Sequence, residues 1–176
     1  MKAASLTAPV TLAAPDTVRL ERLLPGPVER VWSYLVDADK RAKWLAGGEF
    51  DLRVGGKVRL DFNNDNLSSD KAAPSKGAGV GHFEGVITRL EPLRVLAHTW
   101  KWDSGETEVT YELTPRGKDV LLTIVHRRLA NRDLVLSVMG GWDVHTGILA
   151  DLLNGVEPRP FWTEHAKAKK EYAARV

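Results

Sequence analysis

An α+β domain with an antiparallel sheet is predicted for this 176-residue chain by three features. One strand pattern is followed by two short helices, four closely spaced strand patterns come in succession, and a long helical pattern lies towards the C-terminus. The length suits one domain, and 43% hydrophobic residues are enough for a sizeable core. The expected organisation is a flexible leader over 1–16 and a single domain over 17–176.

From Thr17 to Leu24, Val18, Leu20 and Arg22 alternate with Arg19, Glu21 and Leu23, a half-buried strand that stops at Pro25-Gly26-Pro27. Pro27 suits the first turn of a helix, and Val28, Val31, Trp32 and Leu35 then share one 3.6-residue face. Asp37 to Trp44 reads as a second short helix, ended by Gly47-Gly48. "FDLRVGGKVRLDF" places two strand-like runs around Gly55-Gly56, a turn pair that reaches positive φ cheaply, with Val58, Leu60 and Phe62 on one side. Residues 63–81, polar and rich in small side chains, read as a long mobile loop.

His82–Leu90, Val95–Trp102, Thr107–Thr114 and Val120–Arg127 are the four strands of a predicted meander. Alternation puts Leu96, His98, Trp100 and Trp102 on one face of the second, with Thr107, Val109, Tyr111 and Leu113 facing likewise on the third. Val120, Leu122, Ile124 and His126 form the inner row of the last strand. Glu84 has two possible facings, and the inward one would give the interior a carboxylate. Beyond Asn131, Trp142, His145, Leu149 and Leu152 recur at helical spacings until Asn154-Gly155, and a charged helical extension over 158–176 follows Pro158 and Pro160.

Electrostatics points to no partner, because 25 basic and 23 acidic residues are interspersed without a dense basic block, and nucleic acid is not expected. With no cysteine there is neither a disulfide framework nor a thiolate site, which fits a cytoplasmic setting. The opening "MKAASLTAPVTLAAPD" is broken by Thr7, Pro9 and Thr11 and makes a poor signal-peptide core. No window approaches the roughly 20 apolar residues of a bilayer span, so a membrane protein is not expected.

The segments "PVERVWSYLVDADKRAKWL", "DLRVGGKVRLDF", "GVITRLEPLRVLAHTWKW", "VTYELTPRGKDVLLTIVHRRL" and "GGWDVHTGILADLL", in that order, resemble the homologues of the heat-shock-protein-90 ATPase activator. That family lies within the START-like, birch-pollen-allergen-like superfamily. The resemblance implies a helix-grip fold, in which a curved antiparallel sheet wraps the long C-terminal helix and leaves a cavity that typically takes apolar small molecules. It supplies no catalytic motif, and superfamily functions range from carriage of lipids or hormones to polyketide cyclisation. Co-chaperone members carry an extra domain where this chain has residues 1–16, so a chaperone-associated interaction module is the third-ranked reading.

The candidate ligand-binding residues are Phe62, His98, Trp100, Trp102, Tyr111, Leu122, His126, Trp142, His145 and Leu149. Trp142 and His145 would roof a cavity floored by Phe62, Trp100, Trp102, Tyr111 and Leu122, with the histidines as polar points. Asp143 lies about 100° around the helix from Trp142, so Trp142, Asp143 and His145 do not make a compact triad. Plain core packing of the aromatics, and a histidine bonded to a carbonyl, are the competing structural explanations. An apolar or aromatic small molecule is the expected partner, and a cofactor-free cyclase or lyase using His98, His126 and His145 is the alternative. No cofactor or metal is expected: phosphate-binding glycine motifs are missing, and the histidines lack a short ligand pair. Phe161, Trp162 and Tyr172 suit docking of the last helix onto the chain's own sheet or onto a second copy in a homodimer.

Overall fold

The computed structural model describes residues 8–71 and 73–176. Two strands, β1 (Thr11–Ala14) and β2 (Thr17–Pro25), precede helices α1 (Val28–Val36) and α2 (Ala38–Arg41). Then come β3 (Lys57–Asn63), β4 (Val80–Glu91), β5 (Val95–Trp102), β6 (Gly105–Arg116) and β7 (Asp119–Arg127), followed by α3 (Arg132–Leu153) and α4 (Phe161–Arg175). The seven strands form one antiparallel sheet in the order β1-β2-β7-β6-β5-β4-β3. Its curved inner face grips α3, the helix-grip arrangement.

The inward rows follow from alternation. Leu96, His98 and Trp100 on β5, Val109, Tyr111 and Leu113 on β6, and Val120, Leu122, Ile124 and His126 on β7 are all buried. Register ties them together: His98 pairs with Val109 and Val109 with His126. On β4 the inward residues are Phe83 and Ile87, while Glu84 is exposed on the outer face. Helix α3 begins where Asn131 accepts the Leu134 N–H at 2.9 Å, which satisfies one of the donors left free in the first turn.

Three expectations are corrected. Within the expected leader, residues 11–14 form an edge strand paired to β2, and the buried Val10 donates its N–H to the Tyr172 hydroxyl at 3.0 Å. The remainder of that leader, residues 1–7, lies outside the described residues. The first run of "FDLRVGGKVRLDF" is not a strand: Phe50 makes an isolated bridge to Val58, and Asp51 to Val54 are exposed in a turn closed by Arg53 N–H to the Asp51 carbonyl at 2.8 Å. The segment reaches β3 only through isolated bridges and a few hydrogen bonds, such as Asp51 N–H to the Lys57 carbonyl at 2.9 Å, before the chain turns away. The third concerns 63–81, whose ends are strand: Asn63 closes β3, and Val80 and Gly81 open β4.

What lies between those ends is fastened to α4 by side chains. Ser68 Oγ accepts the Phe161 N–H at 3.0 Å, and Asp70 accepts the Thr163 N–H and hydroxyl at 2.9 and 3.0 Å. The Trp162 indole donates to Asp65 at 2.7 Å. Because Pro160 at the head of α4 offers no side-chain cap, the loop supplies the acceptors that the first turn needs. Gly79 permits the approach: at φ +71°, a Cβ there would sit 2.7 Å from both Asn64 and the Trp162 ring.

Helix α4 packs on α3 and is tied at its far end as well. Asp143 of α3 accepts from the Tyr172 hydroxyl at 2.8 Å and from Arg22 of β2 at 3.1 Å. Asp143 thus faces away from the Trp142 side. Phe161, Trp162 and Tyr172, the aromatics that suggested a homodimer, are buried within the chain itself. No helix among the described residues is long and apolar enough to cross a membrane.

Candidate functional site

A cavity of about 370 Å³ lies between α3, α4, the inner faces of β3, β4 and β5, and the loop before β4. Six of the ten expected residues line it: Phe62, Trp100, Trp102, His126, Trp142 and His145. The rings make a continuous aromatic wall. Trp100 stacks on Trp102 at 5.1 Å and on Phe62 at 5.6 Å, and Trp142 meets Trp100 edge-on at 6.2 Å.

His98, Tyr111, Leu122 and Leu149 are not on the wall. They face inward as expected, but in the buried core beside the cavity; Leu122, His98 and Leu149 are each 0% exposed. The wall also contains residues that sequence reasoning missed, among them Leu45, Phe83, Phe161, Trp162 and His165. The pair "FW" directly after Pro160 was a signal for Phe161 and Trp162. Because the apolar stripe of α4 is weak, the sequence leaves open whether that pair docks onto the chain's own sheet or onto a second copy.

The histidines differ in what they have left to offer. His98 donates from Nδ1 to the Thr99 carbonyl at 2.9 Å and receives the Tyr111 hydroxyl on Nε2 at 3.2 Å. The Thr107 hydroxyl donates to the Trp100 carbonyl at 3.0 Å, so at the 2.7 Å contact with His126 it is Nε2 of the ring that donates. Nδ1 of His126 then accepts the Trp142 indole N–H at 3.2 Å. Both rings are therefore saturated. Burial pushes the pKa of His98 down to about 4 and that of His126 to about 3, which keeps them neutral.

His145 has a single partner, the Trp44 carbonyl at 2.7 Å from Nδ1. The carbonyl only accepts, so Nδ1 carries the proton; burial lowers the pKa to about 4, which leaves Nε2 as a bare acceptor. No hydrogen bond reaches Nε2 among the described residues. Three further polar atoms of wall residues, Asn64 Oδ1 and Nε1 of Trp100 and Trp102, are buried without a partner in the protein. Each such atom costs roughly 1–3 kcal/mol, so this end of the interior has unused hydrogen-bonding capacity.

No Asp, Glu, Lys or Arg is among the described residues of the wall. Glu84, the one acid whose facing was open, points outward, and Glu108 on the outer face is held by Thr88 and Arg127. A general acid–base pair with a carboxylate is thus missing from the wall, and only one histidine nitrogen among His98, His126 and His145 is unengaged.

Gly141, one turn before His145 on α3, keeps the cavity open. A Cβ there would meet only His145 Cδ2, at 4.0 Å, and larger side chains would grow into the space. Its neighbour Gly140 faces α4, where a Cβ would touch Ala168 at 3.9 Å.

Sheet, gripped helix and aromatic cavity together define a START-like helix-grip domain. The family described as Activator of Hsp90 ATPase homolog 1-like protein matches residues 25–154, and the chain belongs to it. A protein of Bordetella parapertussis solved by NMR in solution is 41% identical, with a TM-score of 0.80 over 99% of this chain and 96% of its own. CalU16 from Micromonospora echinospora shares the fold at 22% identity and a TM-score of 0.68, covering 90% of this chain and 86% of its own. DynU16, a protein of the dynemicin biosynthetic locus, shares it at 23% identity and a TM-score of 0.65; 82% of this chain aligns, with 49% of that one. No curated protein matches the chain.

Proposed function

We propose that this protein binds an apolar, aromatic small molecule in the cavity between α3, α4 and the sheet, in a cytoplasmic setting. The observation that carries the reading is a space of about 370 Å³ walled by Phe62, Phe83, Trp100, Trp102, Trp142 and Trp162. That volume falls within the ~300–1,000 Å³ of small-molecule sites, and such sites combine apolar walls with few polar points. The family and fold are compatible with ligand binding, and the wall's chemistry narrows the class. The cyclase or lyase alternative gains less support, since among the described residues no carboxylate borders the space and two of the three candidate histidines are neutral and saturated.

Titration with N-phenyl-1-naphthylamine, a neutral apolar dye, followed through tryptophan quenching, tests the proposal. Saturable binding is expected, and Gly141→Leu is expected to weaken it at least tenfold without lowering the melting temperature, because leucine fills the cavity and favours helix over glycine. Non-saturable binding, or binding that Gly141→Leu leaves unchanged, overturns it.

A further inference from the structure

The polar chemistry of the wall goes further than its shape. We propose that the cavity selects a neutral ligand whose hydroxyl group donates a hydrogen bond to Nε2 of His145. The inference rests on the small-molecule reading above and specifies the ligand's functional group and charge.

His145 is 6% exposed, so any partner for Nε2 has to come from within the cavity. Its orientation is locked: the Trp44 carbonyl holds Nδ1 at 2.7 Å, and the ring sits between Phe62 at 6.0 Å and Phe161 at 5.2 Å. The locked tautomer offers a lone pair and no proton. A hydroxyl satisfies it, an ether or ketone oxygen in its place presents lone pair to lone pair, and a methyl group leaves it unpaired. Phe62 and Phe161 border the same point, so a ring lying against them carries its substituent to the imidazole.

Charge is excluded by the same wall. Among the described residues no Lys or Arg borders the cavity to compensate a carboxylate, and no Asp or Glu to compensate an amine. The remaining titratable group is His165, stacked on Phe161 at 5.6 Å, and burial together with the nearby Lys169 lowers its pKa. It too is mostly neutral at pH 7.5. An ionic ligand would therefore shed its hydration without a counter-charge, a loss that ring contacts do not offset.

Three bicyclic probes of nearly equal size separate the possibilities: 2-naphthol, 2-methoxynaphthalene and 2-naphthoate, titrated into the full chain at pH 7.5. Expected are affinity for 2-naphthol about tenfold above the ether and weakest binding by the carboxylate. In His145→Phe the alcohol-over-ether preference should collapse to about unity while ether affinity stays within about threefold. His145→Gln, which keeps an acceptor, should retain part of the preference, and circular dichroism of both variants checks that they fold. Equal wild-type affinity for alcohol and ether, a preference that survives His145→Phe, or tightest binding by 2-naphthoate overturns the hydroxyl inference and leaves the cavity reading intact. Failure of all three probes to bind overturns the cavity reading, and this inference with it.

Discussion

The two ends of the interior beneath α3 both set aromatic rings beside polar side chains and differ in how completely the polar atoms are bonded. At the α1–α2 end Arg41, 1% exposed, donates to the carbonyls of Leu35, Val36, Ala46 and Gly48 and lies 3.7 Å over the Phe50 ring. His98 and Tyr111 beside it are fully bonded. At the α4 end the indoles of Trp100 and Trp102 and the imidazole of His145 retain unused donors and acceptors around a hollow. A buried polar network that is complete fixes a structure, whereas an incomplete one leaves hydrogen-bonding capacity for a ligand. Aromatic content alone does not separate core from site; unengaged polar atoms, present on the wall beside the bonded His126 and Trp142, help to do so.

Breaking the closed end should have the largest effect. Arg41→Met removes the donor to four carbonyls at once, two of these hydrogen bonds being fully buried, and chemical denaturation should show a loss of roughly 3 kcal/mol or more. A variant of unaltered stability would mean that those carbonyls find other partners.

Acid attacks both ends through the histidines. The folded pKa values of about 4 for His98 and His145 and about 3 for His126 lie below the ordinary 6.5, so the unfolded chain takes up protons first as pH falls. Their neutral-ring stability is complete above about pH 6.5 and lost on the way down through the folded values. The slope is up to about 1.4 kcal/mol per pH unit for each ring. Melting temperatures between pH 7.5 and 5 should fall accordingly, and His126→Gln should flatten the slope; a parallel slope in that variant refutes the assignment.

Smaller effects sharpen the contrast at the hollow end. Asp70→Ala removes the loop's acceptor from the first turn of α4 and should cost about 1 kcal/mol in denaturant unfolding. Gly141→Ala should stabilise by about 0.5–1 kcal/mol, since helix propensity improves and a methyl group meets only His145 Cδ2 at 4.0 Å. Destabilisation by Gly141→Ala would show that the space is already filled by neighbouring atoms.

Much of the fold was legible in the chain because alternation and helix punctuation are local. Val95–Trp102 is a strand over the predicted residues, and Asn131 caps α3 where the helical pattern starts. Facing was legible too, since all ten candidate residues point inward or onto the gripped helix. Depth was not. Period-2 alternation places His98 and Trp100 on one face but carries no information about which end of a curved sheet is closed. That depends on α2 bringing Arg41 under one end, and on α4 arriving from far along the chain at the other. The short β1 strand escaped notice for a related reason: "TLAA" has little pattern of its own and is held by pairing with β2.

One wall of the cavity is built from residues that follow the gripped helix in the chain. The region shared with the family ends at residue 154, and Phe161, Trp162 and His165 come after it. The closing side is thus a separate helix hooked on at Asp65, Ser68 and Asp70 near its start and at Asp143 near its finish. Substitution along that helix, with its hooks kept, is a route to new preferences that leaves the sheet and α3 untouched.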